Sequence, residues 1–165
     1  MRAWRDQAGV PVPQENFGTA DDGIEALSPE QYDEFVFRLH RRLYDEFGAP
    51  GSRGIHLCGN AQRHFTMIRD GLGVNSFDTG FPVDFKKLRE DLGPDVLVSG
   101  GPRISFFLED TSGPILAETE RILQSGILQG GRFILQEANN LPPCARLHVC
   151  QDFYDTGKRL GRINK

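Results

Sequence analysis

His56 and Cys58 stand two residues apart in Gly54-Ile55-His56-Leu57-Cys58-Gly59-Asn60, an apolar strand pattern that stops at a Gly-Asn turn. Alternation along a strand sends residues i and i+2 to the same side, so the imidazole and the thiol point together. One nitrogen and one sulfur donor on a rigid strand are two-thirds of a zinc site, which needs at least three protein ligands. The same spacing also suits a core histidine beside a buried free cysteine. Other polar groups follow other short apolar runs. Asp78 closes residues 75–78 and could act as a general base, orient His56, or serve as a structural aspartate. The Gly100-Gly101 turn and Arg103 follow Val96-Leu97-Val98, and Arg103 could meet a substrate carboxylate or phosphate, or simply be solvated. Glu137, Asn139 and Asn140 follow Phe133-Ile134-Leu135, offering a carboxylate and two amides to a ligand or to the turn itself. Asp21 and Asp22 precede the first helix and could bind substrate or a cation, or cap and shape the turn.

The elements that must position these groups alternate. Ser28-Pro29-Glu30-Gln31 reads as an N-cap, a first-turn proline and a first-turn acid, opening a helix to about Phe47 and Gly48. Phe35, Leu39, Leu43 and Phe47 recur every fourth residue and are expected to be its buried stripe. Further helices are expected over 61–71, 83–92, 113–125 and 145–160, with strands over 54–57, 75–78, 96–98 and 133–135 and extended chain over 14–20. His64 is expected to open a helix facing solvent, and His148 and Cys150 to pack or face solvent on the last helix. Apolar strands alternating with helices argue for an α/β fold with a parallel sheet. A doubly wound sheet and a barrel both satisfy this. Chemical groups converging at strand C-termini, with no G-x-G-x-x-G after the first strand, favour the (β/α)8 barrel.

Composition narrows the setting. Hydrophobic residues at 38% and charged ones at 25% fit a soluble globular protein of one domain. A net charge of −4 without a basic tract gives no footing for nucleic acid or an anionic membrane, and no run is apolar enough for a span. Three cysteines form no disulfide framework, so a reduced, cytoplasmic setting is expected.

From Asp21 to Gly161 the chain resembles the C-terminal half of the uroporphyrinogen decarboxylase superfamily. The resemblance is carried by Leu27-Ser28-Pro29, the His56–Cys58 segment, Phe77-Asp78, Val98-Ser99-Gly100-Gly101-Pro102, Gly130-Gly131-Arg132-Phe133-Ile134-Leu135 and Asn139-Asn140-Leu141-Pro142-Pro143, in family order. It implies a partial TIM-type barrel of roughly the last five βα units over 21–165, with residues 1–20 a weakly matching segment. A whole barrel takes about 250 residues. The chain is therefore expected to be a truncated product, the simpler case, or a half-barrel that another chain completes.

The resemblance also implies chemistry. In the methyltransferase branch a His-x-Cys pair on this strand and a later cysteine bind zinc, which activates a thiol to accept a methyl group, with a corrinoid as donor or partner-bound group. Here the later position aligns with Asn139, a poor zinc ligand, so Glu137 is the expected third ligand beside His56 and Cys58. Cys144 lies out of register with the family's ligand. The decarboxylase branch uses no metal and holds a tetrapyrrole by polar and charged arms. The first expectation is zinc-assisted methyl transfer to a thiol, with Asp78 and Glu137 as catalytic groups. The alternatives are metal-free decarboxylation in tetrapyrrole biosynthesis and an inactive half-barrel remnant or subunit.

Overall fold

The computed structural model describes residues 16–162, so the first 15 residues of the weakly matching segment lie outside it. Five parallel strands form one sheet in the order β1-β2-β3-β4-β5: β1 (Phe17–Ala20), β2 (Arg53–Leu57), β3 (Ser76–Thr79), β4 (Leu97–Gly100) and β5 (Phe133–Leu135). Each strand pairs with its successor in the chain. A doubly wound sheet reverses its order at a switch point; this one never does, which is the winding of a barrel segment.

Helices alternate with the strands: α1 (Pro29–Tyr32), a π-helical turn (Asp33–Phe37) continuing into α2 (Arg38–Phe47), α3 (Phe65–Leu72), α4 (Phe85–Leu92), α5 (Gly113–Leu123) and α6 (Leu147–Leu160). Ser28 caps α1 as expected: its hydroxyl accepts from the Gln31 amide while the Gln31 side chain accepts from the Ser28 amide. No described helix is long and apolar enough to cross a membrane.

The two faces of the sheet differ. Ile55, Leu57, Phe77, Thr79 and Val98 point to the helices and are buried. Phe77 stacks on Phe65 of α3 at 5.0 Å, and Phe133 meets Phe85 of α4 edge-on at 5.7 Å. Burying each such ring contributes about 1.5–3 kcal/mol. Register aligns Ala20, His56, Asp78, Ser99 and Ile134 in one row across the opposite face, where burial is partial or absent. That row lines the concave side, where the strands of a closed barrel would meet further side chains. Arg89, 3% exposed, donates to the carbonyls of Ile127, Gly93, Val96 and Arg132 and so ties α4 to β4 and β5.

Two expectations about side-chain placement are corrected. The fourfold stripe is not buried: Phe35, Leu39, Leu43 and Phe47 are 54%, 48%, 40% and 36% exposed. The face that meets the sheet instead carries Tyr32, His40 and Tyr44. Tyr44 donates to the Gly54 carbonyl at 2.6 Å and bonds Thr19, and the Tyr32 hydroxyl lies 2.9 Å from His40 Nδ1. Partnered polar atoms make these larger rings acceptable inside. The π turn also adds a residue to the helix and so rotates α2 relative to α1. His64 does not face solvent. It is fully buried, with Nε2 3.1 Å from the Leu27 carbonyl and its ring 5.3 Å from that of Tyr32. Leu27, which follows the Ile24–Ala26 turn, supplies that carbonyl. His148 and Cys150 lie on α6 as expected, exposed and half-buried.

Candidate active site

Strand β2 delivers His56 and Cys58 to the concave face at the strand ends, with His56 Nε2 3.0 Å from Cys58 Sγ. The neighbouring strands supply what surrounds them. On one side, β1 pairs Ala20 with His56, so the chain leaving β1 carries Asp22 over the imidazole, its Oδ1 3.8 Å from Nε2. On the other, β3 pairs Asp78 directly with His56, and Asp78 Oδ2 lies 2.8 Å from Nδ1. A carboxylate accepts only, so Nδ1 carries a proton, and in the neutral ring Nε2 is the atom that can accept from the thiol or bind a metal.

Asp22, His56 and Cys58 place one carboxylate oxygen, one nitrogen and one sulfur within 4.8 Å of one another. The local charge explains the state of the thiol. Burial first, then the Asp22, Asp78 and Glu25 carboxylates, push Cys58 up from 9.0 to about 11. Without a cation the sulfur keeps its proton. A divalent ion bound by the three would displace that proton and offset the crowded negative charge.

Across the mouth lies a cavity of about 350 Å³ lined by His56, Asp78, Gln136, Glu137, Asn139 and Asn140. The loop after β5 curls back over β2, bringing Asn139 Nδ2 to 3.7 Å from Cys58 Sγ, while Asn139 Oδ1 accepts from the Asn140 amide. Glu137 therefore shares the cavity, but the carboxylate that joins His56 and Cys58 is that of Asp22. The loop after β5 also reaches β2, but the residue it sets against Cys58 is Asn139, two positions beyond Glu137.

The remaining sequence candidates have other surroundings. Asp21 accepts from the Gly23 amide and lies 3.7 Å from His40 Nε2, shaping the turn that carries Asp22. Gly100 and Gly101 are buried: a Cβ on Gly100 would stand 2.2 Å from Thr79 Oγ1, and one on Gly101 1.8 Å from the Gln136 carbonyl oxygen. Both serve close packing of strand ends. Arg103 is exposed, with its guanidinium 4.4 Å from the Phe106 ring centre and 5.9 Å from that of Phe81. Cys144 is exposed and stands outside the three-residue cluster. Sequence reasoning missed Gln136 and Glu25. Gln136 could have been found as the first residue beyond β5, the position at which Cys58 follows β2. Glu25 sits in a short turn without any such marker.

Residues 17–160, from the first residue of β1 to the last of α6, match the family described as uroporphyrinogen decarboxylase (URO-D). The chain belongs to the uroporphyrinogen decarboxylase family. A stretch of 75 residues is 36% identical to a methylated-thiol–coenzyme M methyltransferase of Methanosarcina mazei, covering 45% of this chain and 19% of that protein. The fold matches a solved methyltransferase from Methanosarcina mazei with a TM-score of 0.69 at 18% identity, over 95% of this chain and 44% of that one. This uroporphyrinogen decarboxylase family member thus has the fold of part of a methyltransferase barrel and spans less than half the length of either relative.

Proposed function

We propose that the strand-end site of this family member binds zinc through His56, Cys58 and Asp22 and serves methyl transfer to a thiol. The observation that carries the reading is the meeting of imidazole, thiol and carboxylate from two adjacent strands at one point. Three protein donors with further coordination left to a substrate are the ordinary make-up of a catalytic zinc site, and nitrogen, thiolate sulfur and carboxylate oxygen are each ordinary zinc donors. Zinc held there would act as a Lewis acid that keeps a bound thiol deprotonated and nucleophilic near neutral pH. The likeness to a methylated-thiol–coenzyme M methyltransferase supports the choice of a thiol as methyl acceptor.

The chain's own residues divide the remaining work. Asp78 holds the Nδ1 proton of His56 and so keeps Nε2 available. Asn139 keeps its amide beside Cys58 Sγ, and Glu137 and Asn140 present polar groups to whatever enters the cavity. Glu137 is read as a substrate-facing or proton-handling group, and Asp22 takes the ligand role first expected of it. The methyl donor is read as a corrinoid or another methylated compound, and the open concave face as the surface that further βα units of the parent barrel complete.

The test is metal content and metal affinity of the purified protein, followed by transfer of a labelled methyl group to small thiols. About one equivalent of zinc, lost in Cys58→Ser and weakened in Asp22→Asn, supports the reading. Metal-free protein that binds no added zinc overturns it.

A further inference from the structure

One side chain in the cavity has no part in the reading above. Gln136 Nε2 donates to Asp78 Oδ1 at 2.7 Å, and the other oxygen of the same carboxylate, Oδ2, meets His56 Nδ1 at 2.8 Å. The Asp78 side chain is 43% exposed, so solvent alone would leave its carboxylate free to turn. Hydrogen bonds at both oxygens, from strands on either side, fix its plane.

The backbone holds Gln136 for this task. Its amide donates to the Gly100 carbonyl at 3.0 Å, continuing the β4–β5 ladder. Its own carbonyl oxygen would lie 1.8 Å from a Cβ on Gly101, so only glycine there lets the end of β5 come close enough. The Gly100-Gly101 turn, offered by the sequence as a ligand-binding feature, therefore places Gln136.

We propose that Gln136 is a positioning residue: through Asp78 it locks His56 in the Nδ1–H tautomer, with Nε2 aimed at Cys58 and Asp22. The chain of contacts runs from β5 through β3 to β2 and makes the ligand geometry of one strand depend on the seating of another. It deepens the zinc reading above, but the tautomer itself belongs to the metal-free protein.

The experiment compares the wild-type protein with Gln136→Met, which keeps the volume and removes the donor, and with Gln136→Asn, which withdraws the amide. Histidine-ring ¹⁵N NMR of the metal-free protein, with His56 assigned through His56→Gln, reports the tautomer directly. We expect a single Nδ1–H form in wild type and a tautomer mixture in both variants. Zinc dissociation constants should rise about 10–100-fold, the usual effect of losing an outer-shell partner, with an unchanged thermal midpoint. A glutamine that merely filled space would leave the ring spectrum of Gln136→Met unaltered. That result, or an Nε2–H tautomer in wild type, overturns the proposal. Should Gln136→Met fail to fold, Gln136→Asn gives the same comparison. Wild-type protein that binds no zinc would defeat the metal reading, while the ring spectra would still decide the role of Gln136.

Discussion

Asp22 reaches His56 from the neighbouring strand, its Oδ1 3.8 Å from Nε2 on the side of the ring opposite the Asp78 contact at Nδ1. The imidazole is thus held between two acids, one near Nε2 and one at Nδ1. Zinc at about 100 times its dissociation constant should raise stability by about 2.7 kcal/mol. Asp22→Asn should remove most of that gain by weakening the site, whereas Glu137→Gln should keep it. Thermal melts with and without zinc check both; an equal loss in the two variants would restore Glu137 as a ligand.

Acid should destabilise the fold through its buried histidines. Burial, followed by the charge of Arg63, lowers the pKa of His64, and burial lowers that of His40 against the opposing pull of Asp21. The unfolded chain takes up these protons near pH ~6.5, while the folded chain resists. Their stabilising effect is therefore complete above about pH 6.5 and is lost as pH falls towards the lower folded values. The thermal midpoint should drop from about pH 7 to about pH 5, with a shallower slope in His64→Leu. Identical slopes in the two proteins would remove His64 from this account.

Gly101 and Gly113 should respond oppositely to alanine. A Cβ at Gly101 collides with the Gln136 carbonyl, while one at Gly113 meets nothing within 4 Å. Gly101→Ala should cost about 1–3 kcal/mol, as overpacking does. Gly113→Ala, in the first turn of α5, should be neutral or stabilise by about 0.4–1 kcal/mol. Chemical denaturation of the two variants checks the contrast.

The exposed row on the helix after β1 should limit solubility. Phe35, Leu39, Leu43 and Phe47 form an exposed apolar strip on this helix, apart from the face that Tyr32 and Tyr44 bury. The double variant Leu39→Glu/Leu43→Glu should sediment as a smaller species at high concentration, with stability within about 0.5 kcal/mol of wild type. Unchanged sedimentation would show that the strip takes no part in self-association.

Several features were legible in the residues alone. The strands and helices announced themselves because turn residues, caps and apolar runs act locally: Ser28-Pro29 opened a helix, and Leu97-Val98 lay on a strand that starts one residue later than expected and runs on to Gly100. Strand alternation was sufficient to bring His56 and Cys58 together. Periodicity, however, records that Phe35, Leu39, Leu43 and Phe47 share a face, without recording what that face meets. Only packing decided that Tyr44 and His40, with partners for their polar atoms, would take the inside. The third member of the site was equally beyond local reading. Asp22 and Glu137 both follow strands that deliver loops to β2, and the choice between them depends on how those loops are seated in the assembled sheet. That seating is a long-range property: the β1–β2 pairing that carries Asp22 over His56 joins residues more than 30 positions apart in the chain.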